Sequence, residues 1–216
     1  MYKVRLLAAQ AAAFAVLAVV ASSAGAVTTE VDPAGRISAP SSGTVRFEGA
    51  GISVQCNLTL TGSLAASFTL APGAHVGSIT AASISGCSGG SVTAVLGLPW
   101  ALDHTDVLPG DHHDFEDRGN DRRDFTDLHR DNLTGVLFDL DGAAFNLNSL
   151  GLNCLYRGDL GTLLTLVDTG TNTYRTGAIA TLATSIPLAS GGFLCPRSGT
   201  VSGTFSLSPS QSILVT

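Results

Sequence analysis

Residues Ile52–Leu60 read ISVQCNLTL, and this stretch decides the fold class. Ile, Val, Cys, Leu and Leu occupy every second position, and Ser, Gln, Asn and Thr stand between them. Successive side chains of a strand point to opposite faces, so this period of two predicts a strand with one buried face. The stretch therefore indicates a β-sheet with a core on one side.

Similar short runs recur on both sides of this stretch, separated by Gly, Ser, Asn and Pro. No segment after the N-terminus keeps the apolar spacing of a helix over three turns, so the chain is predicted to be all-β. Asp141-Gly142, between two such runs, suits a tight hairpin turn. The expected architecture is an antiparallel β-sandwich, in one domain or in two similar halves. The predicted strands are Thr44–Glu48, Ile52–Leu60, Leu64–Leu70, Ser78–Ser85, Ser91–Leu96, Gly135–Leu140, Ala143–Asn148, Leu152–Tyr156, Thr162–Val167, Ala178–Ser185, Gly199–Ser206 and Gln211–Val215.

The N-terminus has the three-part pattern of a secretory signal peptide. Lys3 and Arg5 precede an apolar stretch over residues 6–20, and Ala24-Gly25-Ala26 supplies small residues for cleavage. The apolar stretch is shorter than the roughly 20 residues of a spanning helix. We therefore expect residues 1–26 to be a signal peptide, with an uncleaved anchor as the alternative. Residues 27–43 are expected to be a linker, and residues 44–216 the β domain.

The chain without residues 1–26 is acidic. It would keep all seventeen acidic residues, nine arginines and no lysine, a formal charge of −8. Nucleic acid and anionic membrane surfaces both require a basic footprint. This composition argues against both partners, and we expect no stable membrane insertion after signal cleavage.

The four cysteines, at positions 56, 87, 154 and 195, predict two disulfides in an exported chain. Three connectivities are possible, and zinc binding is the competing interpretation, although no C-x-x-C or Cys/His spacing supports it. The two halves of the chain each run Cys, strand, strand, Cys, turn, strand, which suggests an internal duplication. That organisation favours Cys56–Cys87 and Cys154–Cys195.

Residues 103–131 form a charged segment with ten acidic residues, four histidines and four arginines. We expect an exposed insertion, because few apolar residues are present to bury a strand. Asp111, His112, His113 and Asp114 are weak candidates for a divalent-cation site. The segment lacks the spacing of known cation-binding loops, so a solvated loop is the preferred interpretation, and no metal or other cofactor is expected.

Motifs that resemble catalytic sites have simpler explanations. Gly86–Gly90 reads GCSGG and matches G-x-S-x-G, but no helix follows Ser88, so a turn is favoured. Asp139 and Asp141 resemble a glycosidase pair, yet they are near neighbours at an expected turn. Trp100 is expected to pack in the core rather than to stack on a sugar. No catalytic residue is predicted.

Five short blocks resemble a group of uncharacterised secreted all-β proteins of GC-rich Gram-positive bacteria. That resemblance covers most of the chain after residue 26 and implies export and β architecture, but no activity. The charged segment at 103–131 departs from the pattern. The blocks are Phe47–Gly49, Gln55–Leu60, Gly97–Trp100, Gly142–Phe145 and Gly192–Pro196.

The sequence therefore predicts a non-catalytic secreted structural or interaction protein of the cell envelope or extracellular space. Its expected partners are envelope or extracellular proteins or glycans. A glycan- or divalent-cation-binding β module is the first alternative, and a cryptic hydrolase is the second.

Overall fold

The computed structural model describes residues 27–49, 51–109, 133–170 and 172–216. These residues form thirteen strands, and every strand pairing is antiparallel. The predicted all-β, antiparallel, sandwich-like fold with two disulfides is confirmed. The strands are β1 Thr28–Asp32, β2 Gly35–Pro40, β3 Val45–Gly49, β4 Ile52–Leu64, β5 Ser67–Thr69, β6 His75–Ser88, β7 Ser91–Leu96, β8 Trp100–Pro109, β9 Leu133–Ser149, β10 Leu152–Asp168, β11 Thr173–Gly191, β12 Ser198–Ser206 and β13 Ser212–Val215.

Several strands are successive parts of one longer run. β2 and β3 pair with consecutive parts of β4, β7 and β8 with consecutive parts of β9, and β12 and β13 with consecutive parts of β11. β1 precedes β2 and β3 in the same run and pairs with β13. β5 follows β4 in the next run and pairs with β1. The thirteen strands thus fill eight positions, which we number 1 to 8: β1–β3, β4–β5, β6, β7–β8, β9, β10, β11 and β12–β13.

These eight positions follow one another around a closed sheet. Each position pairs with the next in chain order, and β3 pairs with β12, which joins the first position to the last. The sheet is thus an antiparallel meander whose hydrogen bonding returns to its starting strand. Closure matters because a strand at an open edge would expose unpaired backbone groups.

Residues 27–43 are not a linker, contrary to the prediction. They contain β1 and β2, in which Val31, Ile37 and Ala39 are buried while their neighbours along the chain are less buried or exposed. In a strand with one buried face, only every second side chain points into the core. Short alternating segments such as TTEVD are therefore sufficient to add to the sheet. The predicted signal peptide, residues 1–26, lies outside the described residues.

The predicted hairpin turn at Asp141-Gly142 is also wrong. Residues 133–149 form one strand, β9, which pairs with β10 on both sides of this dipeptide. Gly142 has a positive φ of 70°, and the register shifts between Gly158 and Leu160 on the facing strand. Such a shift is a β-bulge, which bends a strand without ending it. Gly142 therefore marks a bend in a long strand.

The charged segment begins later than predicted. Residues 103–109 belong to β8, and in this part of the strand His104 and Val107 are buried. The prediction failed because His104 counted as a polar residue, whereas its ring is packed inside the sheet. Residues 110–132, the rest of the predicted insertion, lie outside the described residues.

The two disulfides have the predicted connectivity. Cys56–Cys87 joins position 2 to the end of position 3, and Cys154–Cys195 joins position 6 to the loop after position 7. Each bond therefore joins the second position in a series of four either to the end of the third position or to the loop that follows it. Two disulfides with no free cysteine indicate folding in an oxidising compartment.

The closed sheet has two different ends. At one end lie the turns Gly89-Gly90 and Leu150-Gly151 and the loop 192–197, and both disulfides are close to these turns. We call this the disulfide end. The opposite end contains the chain ends of the described domain, where Thr28 and Thr216 exchange backbone hydrogen bonds of 3.2 and 2.9 Å.

Candidate functional surfaces

Four carboxylates from adjacent strands meet on the outer face of the sheet. The register places Asp103 of β8 opposite Asp139 of β9 and opposite His75 of β6. Asp141 follows Asp139 on the same face, and Asp159 of β10 accepts a 2.9 Å hydrogen bond from the backbone N–H of Gly142. We call Asp103, Asp139, Asp141 and Asp159 the carboxylate cluster.

One histidine side chain is in contact with this cluster. His75 Nδ1 lies 2.8 Å from Asp103 Oδ1, and both groups remain accessible to solvent. Partial burial, together with repulsion from Asp159 and Asp103, raises the pKa of Asp139. Partial burial, followed by the charges of Asp103 and Asp159, likewise raises the pKa of Asp141, which also shares a hydrogen bond with Asp103. The charged forms of Asp139 and Asp141 are therefore less favourable here than in water.

This arrangement is not a formed metal centre. Among the described residues, no group of three or more His, Cys, Asp or Glu side chains has the geometry to hold a metal ion.

The disulfide end presents exposed apolar side chains. Leu150 in the β9–β10 turn is 88% exposed, and Phe193 and Leu194 in the loop after β11 are 96% and 60% exposed. We call these three residues the apolar tip. Two other large apolar side chains of the described residues are exposed, Leu96 at 39% and Val167 at 57%, but neither lies in a turn at this end.

Charge is distributed unevenly between the disulfide end and the rest of the chain. The segments that build the disulfide end, 45–57, 84–96, 144–157 and 185–202, contain three arginines and a single acidic residue, Glu48. Glu48 is paired with Arg46 at 2.7 Å. The other sixteen of the seventeen acidic residues lie outside these segments. The apolar tip thus belongs to the part of the chain with the fewest carboxylates.

The interior is apolar and closely filled. Near the disulfide end, Trp100 packs edge-on against Phe145, with ring centroids 5.4 Å apart, and donates its indole N–H to the Leu96 carbonyl at 2.9 Å. Nearer the opposite end, a cavity of about 50 Å³ is lined by side chains from all eight positions. Its one polar lining group, the Thr162 hydroxyl, donates to the Phe138 carbonyl at 3.0 Å. The cavity has no free polar group to bind a polar ligand.

The predicted site residues have different outcomes. Asp111, His112, His113 and Asp114 lie outside the described residues, so the cation site there stays a prediction. Trp100 is in the core, as expected.

The G-x-S-x-G match is a strand end followed by a turn. Ser88 ends β6, and Gly89 and Gly90 have positive φ values of 77° and 156°. His75 is at the other end of β6, roughly 40 Å from Ser88 at the rise of a strand. These two residues therefore cannot act together.

Sequence reasoning missed the carboxylate cluster and the apolar tip. Asp139 and Asp141 are near neighbours in the sequence, but Asp103 and Asp159 join them only through the strand register. The apolar tip left a weak signal, because Phe193-Leu194 stands in a Gly-Gly-Phe-Leu-Cys-Pro loop where polar residues are more usual.

The fold and the surfaces define the class of this protein: a closed, all-β, disulfide-bonded domain with an apolar interior. A family model described as alkane oxidation protein activator PraA/PraB-like matches residues 1–113, just over half of the 216-residue chain. The chain belongs to this PraA/PraB-like family. The match ends shortly after β8 and so includes positions 1 to 4 of the sheet.

None of the curated proteins and none of the solved structures gives a significant match. The predicted kinship with secreted proteins of Gram-positive bacteria therefore stays a prediction. In the part of the chain that the structure describes, no helix has the length and apolar character needed to cross a membrane.

Proposed function

We propose that this protein is a non-catalytic, exported interaction protein that promotes the oxidation of alkanes by a separate enzyme system. The description of its family as activators of alkane oxidation supports this assignment. An activator need not bind the reacting atoms, so its contribution would come through its surface.

The observation that carries this proposal is the closure of the sheet around an apolar interior. All eight positions pair with two neighbours, so the described strands offer little open edge to which another strand could add. The interior cavity of about 50 Å³ is a third of the roughly 150 Å³ that admits benzene in an engineered protein cavity. An alkane chain therefore does not fit inside the domain. We infer that the protein acts through its turns and its outer face.

Export is part of the proposal. The two disulfides favour an oxidising compartment, and the pattern of residues 1–26 favours secretion. An alkane that dissolves poorly in water remains outside the cell until it is taken up. A secreted protein, or one associated with the cell envelope, would meet it there.

The test is to add purified residues 27–216 to alkane-oxidising cells that lack the gene, with hexadecane as the carbon source. We expect hexadecane consumption to rise with added protein and then to saturate, and we expect no consumption by the protein alone. Protein that has been reduced and alkylated is the control for a nonspecific effect. Consumption without cells would contradict the non-catalytic assignment, and an unchanged rate with cells would contradict the activator role.

The alternatives predict different results. A cation-binding module would melt at a higher temperature with Ca²⁺ than with EDTA, because any ligand of the native state stabilises it. Asp111, His112, His113 and Asp114, the residues of the predicted cation site, are the ones to replace in that experiment. A glycan-binding module would show the same kind of shift with a sugar, and a hydrolase would release product from an ester or glycoside.

A further inference from the structure

We propose that two copies of this chain form a symmetric dimer through the free edge of β6, over Ala81–Ser85. We call this stretch the β6 edge. The partner is a second copy of the chain, whose own β6 edge runs antiparallel to the first. This inference does not depend on the proposed function, because it concerns how the domain associates with itself.

The closed sheet leaves a short stretch of open edge along β6. Among the described residues, β6 pairs with β8 over residues 75–79, whereas its later residues pair with β4 alone. β7 follows β6 after the turn Gly89-Gly90 but pairs with β9, and the described part of the chain has no ladder between β6 and β7. The turn is directed towards β9, where the Ser149 hydroxyl donates to the Gly89 carbonyl at 2.8 Å. The side of β6 that faces away from β4 is therefore unpaired beyond residue 79.

Backbone groups of the β6 edge point away from β4, towards this open side. The Leu58 carbonyl accepts from the Ser41 N–H at 2.8 Å, and the Leu58 N–H donates to the Ser41 hydroxyl at 3.2 Å. Both groups of Leu58 thus point away from Ile84, its partner on β6. In an antiparallel ladder such a pair has no mutual hydrogen bonds, and it alternates with bonded pairs. The N–H and C=O groups of Ile84, and by the same alternation those of Ala82, therefore face the open side.

The β6 edge is complementary to a second copy of itself. It is regular, because its pairing with β4 runs without a shift from Ala81 to Ser85 and is interrupted on both sides. Pairing the whole stretch with its copy places Ser83 on a twofold axis and Ala82 opposite Ile84 of the second copy. Each Ala82–Ile84 pair then exchanges two backbone hydrogen bonds. The twofold axis closes the interface, so association stops at a dimer.

The composition of this region permits two copies to approach. The open edges of monomeric proteins usually carry lysine, proline or another charged residue. Residues 76–98 contain no charged residue, no histidine and no proline, although the chain has a formal net charge of −6. The pairing with β4 and the Cys56–Cys87 bond hold the strand in place, so dimer formation orders little additional chain. Few side chains take part, and we expect a dimer that dissociates on dilution.

The first test measures the dimer fraction of residues 27–216 by sedimentation velocity over a dilution series. Ser83→Lys places two positive charges opposite each other on the axis, and we expect it to need about tenfold or more protein for the same dimer fraction. Ser185→Lys, the same change at an exposed serine of β11, is the control and should match the unchanged protein. Both substitutions replace exposed side chains, so all three proteins should melt at similar temperatures.

The second test fixes the register by disulfide trapping. In the proposed pairing the Cα atoms of the two Ser83 residues lie about 4.5 Å apart, which a disulfide can span. The Cα atoms of the two Ser85 residues lie roughly 14 Å apart, because each faces Ala81 of the other copy. We expect Ser83→Cys to give a covalent dimer on mild oxidation and Ser85→Cys, which is equally exposed, to give none.

A monomer at every concentration would overturn the proposal. A dimer that Ser83→Lys leaves intact, or equal trapping of the two cysteine variants, would also overturn it, because the copies would then meet elsewhere or in another register. A monomer that binds a synthetic peptide of residues 80–86 would assign the β6 edge to a strand of another protein. These measurements use neither alkane nor cells, so their failure leaves the activator role intact.

Discussion

Asp141 shows how one side chain can reduce the stability of a sheet at neutral pH. Burial and the neighbouring carboxylates raise its pKa in the folded protein, so the folded state binds this proton more tightly than the unfolded state does. Stability is then present at low pH and is lost as the pH rises from the ordinary value of 3.8 through the folded pKa. At neutral pH, Asp141 is charged and is repelled by the rest of the carboxylate cluster.

We therefore expect Asp141→Asn to stabilise the protein at pH 7, by up to about 1 kcal/mol because the site is exposed to solvent. The gain should disappear near pH 3, where the original carboxyl is already neutral. Urea unfolding at both pH values measures the difference. Glu30→Gln, an equal charge change at an exposed position of β1, is the control, and a gain of the same size there would point to net charge rather than to the cluster.

We expect His104 to give the stability of the protein the opposite dependence on pH. Burial lowers its pKa, outweighing the Ala71 carbonyl and Asp106, which raise it. Its Nδ1–H donates to the Ala71 carbonyl at 3.1 Å, and its Nε2 has no partner among the described residues. The unfolded state therefore binds a proton more readily, and stability is lost as the pH falls below the ordinary value of 6.5.

His104→Gln should weaken this pH dependence, because glutamine keeps a donor but cannot be protonated. The measurement is the midpoint of urea unfolding at pH 8, 6.5 and 5 for both proteins. We expect the midpoint of the unchanged protein to fall more steeply between pH 6.5 and pH 5. Parallel curves would show that the acid sensitivity arises from another group.

At the scale of the strands, the sequence predicted a strand correctly where the alternation of apolar and polar residues was uninterrupted. Ile52–Leu60 is inside β4, and Gly199–Ser206 is inside β12. It failed at β9, where Asp141-Gly142 looks like a hairpin but is a bulge, and at β1 and β2, where alternation is short. The difference between a turn and a bulge lies in the pairing with a neighbouring strand, which local sequence does not contain. The carboxylate cluster was missed for the same reason, because register brings Asp103 and Asp159 to Asp139.

Gly62 is a strand residue whose lack of a side chain is required by its neighbour. A Cβ at this position of β4 would overlap the carbonyl oxygen of Ser78 on β6, which is backbone and cannot rotate away. We expect Gly62→Ala to lower the free energy of unfolding by about 2 to 3 kcal/mol, as overpacking does. Gly192→Ala is the matched control, since a Cβ there meets nothing within 4 Å. Equal stability of the two variants in guanidinium titrations would refute this account.

For the whole molecule, the cysteines were the most informative residues in the sequence. Their pairing divides the eight positions into two series of four, with loops closed over separations of 31 and 41 residues. Each closure contributes about 4 kcal/mol by restricting the unfolded chain. The sequence suggested two similar halves, but it did not show whether the halves fold separately. Whether the halves fold separately depends on the strand pairings between them. The apolar alternation within either half does not show these pairings.

The closed sheet argues that neither half folds alone. Positions 1 and 4 are the outer strands of residues 27–109, and they take their second partners from positions 8 and 5. Separated from residues 133–216, this half would lose those hydrogen bonds and would expose side chains such as Phe47, which packs on Phe145 with ring centroids 5.1 Å apart. We expect residues 27–109, with Cys56–Cys87 oxidised, to show no cooperative thermal transition by circular dichroism. A chain cut between Pro109 and Leu133 after folding should keep its transition, because the cut breaks no described strand. A cooperative transition in the isolated half would mean that the PraA/PraB-like match corresponds to an independent domain, and that closure between the halves is docking of two folded units rather than one folding event.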